Sequence, residues 1–492
     1  MSPSNRVLLR LTAAASLLAL GACASVGPNF KRPAPPTGAA AAGYAMPNDV
    51  AAPAAVQLSP ETRSAGPWWQ AFGSPELDAT VRQALADSPT LAEATATLQR
   101  ARAEAAAAAG QQLPQLDANA GVQRERINIT AFGFTGAAVP GLSIGNPTIT
   151  LWSIGAAVNY DLDIFGGRRR ATEQARAAAE AEAQRAEAAY LTLTGNVALQ
   201  AMRIASDRAE IATVQAVIAE DKRTLELVHN ATQAGGEAPS AIRTGEAQLA
   251  EDEALLPPLL RDLDAARHQL ALLTGKAPAD WKAPEFDLDR LTAPATIPVS
   301  LPSELVRRRP DILAAEADLH AATAAVGVAV ANLYPDVRLS PNLTQSAVEA
   351  RHLFNTSLAS GWAIGPTVNV PIFHGGTLRA QRRAAEADAR AALDRYEETV
   401  LRAFTQVADV LSALGTDDQS IAALQRAVTA SEANVRNTET AYNLGGVTLL
   451  QVIDARRQLS RTHRSLVQMQ GQRFSDLVQL YTATAADWRS AT

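Results

Sequence analysis

Apolar and polar residues alternate along four stretches of this 492-residue chain. From Gln115 to Gln123, Leu116, Ala118, Ala120 and Val122 fall on one face of an extended strand, and Gln115, Asp117, Asn119 and Gln123 on the other. Trp152, Ile154, Ala156, Val158, Tyr160 and Leu162 oppose Ser153, Gly155, Asn159, Asp161 and Asp163 in the same way. Later, Val337, Leu339 and Leu343 oppose Asp336, Arg338, Ser340 and Asn342, and Trp362, Ile364, Val368, Val370 and Ile372 oppose Gly365, Thr367 and Asn369. Alternation with period two predicts strands with one apolar and one wet face. The predicted strands cover about 115–127, 148–164, 336–346 and 361–373, with loops at 124–147 and 345–360.

Helical periodicity dominates the remainder. Val400, Phe404, Val407, Leu411 and Leu414 step by four and three, and Ile211, Val214, Ile218, Leu225 and Val228 follow a similar spacing. Such a seam lets helices pack side by side over great length. No proline interrupts Arg168 to Gln233, and a helix of that length approaches about 100 Å. Gly195 within it marks either a bend or a packing contact. Pro75 to Gln112 reads as helical despite Pro89.

The two halves repeat. Trp152-Ser-Ile154-Gly155 returns as Trp362-Ala-Ile364-Gly365, Val158-Asn159 as Val368-Asn369, Gly235-Gly236 as Gly445-Gly446, and Gln248-Leu249 as Gln458-Leu459, all at a shift of 210. Leu113-Pro114 matches Tyr334-Pro335 at 221, so the loop between each pair of strands differs in length. A large unit has been duplicated, rather than a short solenoid repeat. The first repeat covers 67–276 and the second 303–486, joined by a proline-rich linker at 277–302 and followed by a tail at 487–492.

A membrane strand needs about 9–11 residues, which each predicted strand roughly supplies. Spanning barrels start at about eight strands. Four strands cannot close one, whereas three copies would supply twelve. A four-stranded sheet capped by helices, or a coiled-coil spacer, uses the same patterns without a pore.

The first residues read as an address. Arg6 and Arg10 precede the apolar run Leu11–Leu20, and Leu20-Gly21-Ala22-Cys23 follows. This is a secretory signal over 1–22, too short to span a bilayer. Cys23 is the sole cysteine, which excludes an intrachain disulfide and a cysteine-based zinc site. The small pair before it resembles a bacterial lipobox, which implies a covalent lipid on Cys23 and, with Ala24 following, the outer membrane. An ordinary signal peptide with a chance cysteine is the alternative. Residues 23–66, rich in proline and alanine, read as a lipidated tether with little structure of its own.

Charge and chemistry narrow the picture further. The chain holds 44 basic and 50 acidic residues, a balance against a general nucleic-acid binder. Six scattered histidines form no H-E-x-x-H pair, and no nucleophile–base constellation, metal site or cofactor motif is legible. Phe165-Gly166-Gly167-Arg168-Arg169-Arg170 reads as the bend where a strand becomes a helix, the alternative being an anion nest at the helix start. Phe373-His374-Gly375-Gly376 is its counterpart.

Leu301-Pro302-Ser303-Glu304-Leu305-Val306-Arg307-Arg308-Arg309-Pro310-Asp311-Ile312, with Ala315-Glu316, Gly327 and Tyr334-Pro335, resembles the TolC-like outer-membrane factors. Trp68-Trp69 with Phe72, and Asp161-Leu162-Asp163-Ile164-Phe165-Gly166, are similar to their lipid-anchored efflux branch. The resemblance covers nearly the whole mature chain. It implies a mixed α and β membrane protein, a homotrimer whose twelve-stranded β-barrel continues into a periplasmic α-helical barrel. It also implies a passive, non-enzymatic duct served by a periplasmic adaptor and an inner-membrane pump. Protein secretion through the same architecture is the alternative cargo. By the same resemblance, Gly235, Gly236, Gly445, Gly446, Val447 and Thr448 are adaptor-contact tips, and Tyr442, Gln451 and Asp454 line the pore gate. Val447 and Gln451 replace charges found in some relatives, and Ala241 replaces a carboxylate, which implies a less charged gate.

Overall fold

A computed structural model describes residues 25–34, 43–53, 56–59, 67–128, 146–294, 297–355 and 359–485. Cys23, the predicted signal at 1–22 and the tail at 487–492 lie outside the described residues, as does most of the loop predicted at 124–147.

The chain divides into two compact units. The first comprises Met1–Arg32, Gln99–Glu180 and Ala317–Asp394, and the second Pro33–Leu98, Ala181–Glu316 and Arg395–Thr492.

The strands of the first unit form one antiparallel sheet. β2 (Gln115–Arg126) pairs with β3 (Thr148–Asp161) from Gln115↔Asn159 to Arg126↔Thr148. The other edge of β3 is shared by β5 (Asp336–Leu339) and β6 (Asn342–Ala347). Beyond them lie β8 (Pro366–Asn369), paired with β5, and β7 (Ser360–Ala363), paired with β6. The strands predicted whole at 336–346 and 361–373 are therefore each broken in two. Pro341 has no N–H to give the ladder, although its carbonyl still accepts from Val158 N at 2.9 Å. Gly365 and Pro366 interrupt the second, and Pro371 lies beyond its end. β3 stops at Asp161 rather than running to 164, because Asp163 turns the chain with φ 45°.

Helices make up most of the remainder. Their chain order is α1 (Pro75–Asp87), α2 (Pro89–Gly110), α3 (Gly167–Gln233), α4 (Pro239–Glu253), α5 (Leu256–Leu273), α6 (Pro302–Arg308), α7 (Pro310–Ala331), α8 (Thr377–Asn443) and α9 (Leu449–Ala483). Pro89 does end a helix: Ser88 is extended and Pro89 opens α2, where its missing N–H costs nothing. α3 and α8 each run for 67 residues and begin 210 positions apart, the shift of the sequence repeat. α7 is long and apolar enough to cross a membrane by composition, but 44% of its apolar window is buried within the protein.

The second unit holds the main core. Trp68, Trp69 and Phe72 are fully covered, with Trp68 stacked on Tyr481 at 5.6 Å and Trp69 Nε1 donating to Asp78 at 3.0 Å. The predicted seam residues Ile211, Val214, Ile218, Val228, Val400, Val407, Leu411 and Leu414 are buried. Burial of each large apolar side chain is worth about 1.5–3 kcal/mol. Gly195 proves to be a packing contact: a Cβ there would meet Thr482 Cγ2 at 2.5 Å, and α3 continues past it.

The tether and the linker have more structure than their composition suggests. β1 (Val56–Ser59) and β4 (Ile297–Ser300) pair in parallel, so 23–66 and 277–302 share a two-stranded sheet. Ala51 O lies 2.3 Å from where a Cβ on Gly415 would be, which fastens the tether to α8. Backbone pairing, a close approach to glycine and a few scattered apolar side chains, Tyr44 and Val56 among them, achieve this, and they are too few to stand out in composition.

Candidate functional site

Both helical hairpins of the second unit end in the same turn. At the first, Ala234 N donates to Asn230 O at 3.1 Å, Gly235 N to Thr232 O at 3.0 Å and Gly236 N to Ala231 O at 2.9 Å. At the second, Leu444 N donates to Thr440 O at 3.2 Å, Gly445 N to Tyr442 O at 2.9 Å and Gly446 N to Ala441 O at 2.8 Å. Every partner is displaced by 210. Gly235 and Gly445 take φ of 77° and 75°, the left-handed region that terminates a helix and favours glycine. All four glycines are exposed. Val447 is half-buried, and Thr448 opens α9 with a capping box.

Three predicted gate residues occupy different settings. Gln451 Oε1 accepts from Thr448 N at 3.0 Å, so its side chain is held by the helix start. Tyr442 packs against buried Val228, Leu449 and Val452, together with Ala241, Ile242 and Ile453. That cluster draws on both hairpins. Ala241 thus faces an apolar contact. Asp454 is exposed.

Behind the tips lies a group that the sequence reading missed. Arg456 donates to Glu439 Oε1 from Nε at 2.9 Å and from Nη2 at 2.5 Å. Its Nη1 reaches Thr224 Oγ1 at 2.6 Å and also pairs with Glu220. One guanidinium therefore joins α3, α8 and α9. Arg457 pairs with Glu251 of α4 at 3.0 Å. Arg456, Arg457, Glu220 and Glu439 border a cavity of about 750 Å³ that also meets Asp221, Asp252 and His463.

Each hairpin also holds a pair of acids, half-buried in the first and buried in the second. Burial pushes Asp221 up to about 7, and its hydrogen bond to Asp252 adds to this. Asp252 accepts in turn from Gln248 Nε2 at 2.5 Å. In the second hairpin Asp417 and Asp476 are 6% and 5% exposed. Burial, and then Asp476, push Asp417 up to about 7. Asp207, the repeat counterpart of Asp417, is raised to about 6, chiefly by burial. A shared proton keeps such a pair from carrying two charges in low dielectric. No local motif marks these residues: Arg456 and Glu220 are 236 positions apart. The 210 spacing of Asp207 and Asp417 was the one available signal.

In the first unit, the strand-to-helix bend is filled by its own chain. Asp163 accepts from Arg168 N at 2.8 Å and from Arg169 N at 2.9 Å, while Arg168 Nε pairs with Asp161 at 3.1 Å. A carboxylate thus takes the place an external anion would need, which removes the anion-nest reading. Among the described residues no group of three His, Cys, Asp or Glu side chains is placed to hold a metal ion.

Long helical hairpins with matched glycine turns, on the same chain as an antiparallel sheet with two open edges, define a channel of the TolC-like class. The family model for outer membrane efflux proteins matches residues 80–276 and 301–486. The chain belongs to this family, whose members are passive channels rather than enzymes. It is 30% identical over 423 residues to the pyoverdine export outer membrane protein OpmQ of Pseudomonas aeruginosa, covering 86% of this chain and 88% of that one. The probable outer membrane lipoprotein SilC of Salmonella typhimurium is 25% identical over 482 residues, covering 98% and 99%. Among solved structures, the outer-membrane channel OprN superposes with a TM-score of 0.83 at 27% identity, covering 94% of this chain and all of that one.

Proposed function

We propose that the protein is the outer-membrane component of a tripartite efflux system, conducting small solutes passively from a periplasmic adaptor and an inner-membrane pump to the exterior. The observation that carries this reading is the sheet with two open edges. β2 pairs only with β3, and β7 and β8 only with β6 and β5, among the described residues. Unpaired backbone groups cannot remain in lipid. The edge strands also expose Leu116, Val122, Trp362 and Val368. Edge-to-edge pairing of three copies, each bringing four antiparallel runs, satisfies the backbone in a twelve-stranded homotrimeric barrel.

The lipid on Cys23 and the outer-membrane location are proposed from the lipobox resemblance, supported by the relative SilC, which is named a lipoprotein. The tips Gly235, Gly236, Gly445, Gly446, Val447 and Thr448 are proposed as adaptor contacts, and Tyr442 and Asp454 as gate residues. Gln451 joins them through the helix start it caps. Export rather than protein secretion is favoured by OpmQ, an export protein for pyoverdine. Deletion of the gene, with complementation, tests the reading. Hypersensitivity to a set of small toxic compounds, reversed by the wild-type gene, is expected. Unchanged susceptibility together with loss of a secreted protein would favour the secretion reading.

A further inference from the structure

Residues 25–30 are fastened to the first unit by one buried arginine. Arg170, on the first turn of α3, has a side chain only 4% exposed. It donates from Nε to Val26 O at 3.2 Å, and from Nη2 to Asn29 Oδ1 at 2.6 Å and Gly27 O at 3.5 Å. Its remaining terminal nitrogen pairs with Glu173 at 2.7 Å. Burial opposes charge on Glu173, but hydrogen bonds from His320 and Arg170 outweigh it and hold the carboxyl below its usual range. The charge under the segment is thus balanced rather than stranded.

The fit around the arginine is close. A Cβ on Gly27 would lie 2.6 Å from Gly327 Cα, and one on Gly327 would lie 2.8 Å from Arg170 Cδ. Gly27 also takes φ of 89°. Val26 N donates to Phe165 O at 3.1 Å, and Phe30 stacks on His320 at 4.4 Å. A segment with no helix or strand of its own is therefore held at its backbone, at a side-chain amide and at an aromatic ring.

We propose that Arg170 is a positioning residue that fixes where the acyl leash leaves the protein, beside the junction of β3 and α3. The proposal rests on the lipid-anchor reading of Cys23. Ser25 Cα stands 2.8 Å from where a Cβ on Gly166 would be. The described chain thus reaches this junction at Ser25, two residues along the sequence from the proposed acyl site. That junction has the character of a membrane surface. The sheet ends there, Asp161, Asp163, Arg168 and Arg169 pair there, and Phe165 stacks on Tyr334 at 4.8 Å. Aromatic rings and charged groups collect where bilayer meets water. The clamp thereby sets the exit of the lipid-bearing segment and the end of the strands at one depth.

The test uses the full-length protein in purified outer membranes. Arg170→Met keeps the chain length and removes the donors. Asn29→Ala removes one acceptor on the leash and leaves Arg170 in place, which guards against misfolding of the first variant. Trypsin cleavage after Lys31 is followed by mass spectrometry, and palmitate incorporation is followed in parallel. The wild type is expected to resist the cut. Asn29→Ala, losing one charge-assisted hydrogen bond, is expected to be cut on the order of tenfold faster, and Arg170→Met faster still, with acylation unchanged in both. Equal cleavage rates in all three proteins would overturn the proposal. A wild type that resists trypsin but takes up no palmitate would overturn the lipid-anchor reading and leave the clamp standing.

Discussion

Arg456 donates to Glu439 through two nitrogens, and the same guanidinium pairs with Glu220 on the neighbouring hairpin. The hairpins are thus joined by a charge with two acidic partners, directly behind the turns. Arg456→Met leaves Glu220 and Glu439 to repel each other. The groups are 25–41% exposed, so screening limits each pair. The expected loss is about 1 kcal/mol, measured as a lower unfolding midpoint. A cycle with Glu439→Gln should give a coupling of about 0.5–2 kcal/mol. Strict additivity would contradict the bridge.

The Asp417–Asp476 pair predicts a particular pH dependence. Asp417 rises from 3.8 to about 7, first through burial and then through Asp476, with Arg473 opposing and Asp418 adding to the rise. A raised carboxyl binds its proton more tightly in the fold than in the unfolded chain. Its stabilisation is complete below about pH 4 and is lost as pH rises through about 7. Asp417→Asn fixes the neutral form. Thermal unfolding between pH 5 and 8 should therefore show a shallower decline for the variant than for the wild type. Parallel curves would contradict the shared proton.

Adjacent tip glycines should respond differently. Gly445 has φ of 75°, so Gly445→Ala strains the turn by about 1–2 kcal/mol. A Cβ on Gly446 would meet only Ala441 O at 3.4 Å, and the residue is exposed. Gly446→Trp is expected to keep the assembly yield while lowering export in cells, because it blocks adaptor docking. Full export by Gly446→Trp would argue against docking at this turn.

Asp454 is exposed on α9, three residues beyond the cap made by Gln451. Asp454→Ala is expected to raise single-channel conductance or the uptake of large antibiotics, as a polar constriction is lost. Tyr442→Ala should act in the same direction by removing a ring from the Val228–Leu449–Val452 contact. Conductance and uptake equal to wild type in both variants would move the gate elsewhere.

Local patterns were legible where they had a period or a breaker. Alternation located β2 and β3, and the heptad seam predicted side chains that prove buried, such as Val407 and Leu414. The breaks in the second-half strands could have been expected from Pro341, Gly365 and Pro366, but alternation on either side concealed them. The attachment of the tether is hidden for another reason. Arg170 holds it through backbone carbonyls of Val26 and Gly27, and such acceptors are common to every residue type. Behind the tips, Arg456 meets partners 17 and 236 positions away. Contacts at that separation leave no trace in spacing, and the repeat exposes only those acids, like Asp207 and Asp417, that occur in both halves.

On the proposed reading, several copies of the chain form one pore. Purified protein in detergent, first sized and then added to planar lipid bilayers, tests it most directly. A trimer that inserts and conducts ions without any energy source is expected. A monomer that stays silent in the bilayer over repeated preparations would contradict it.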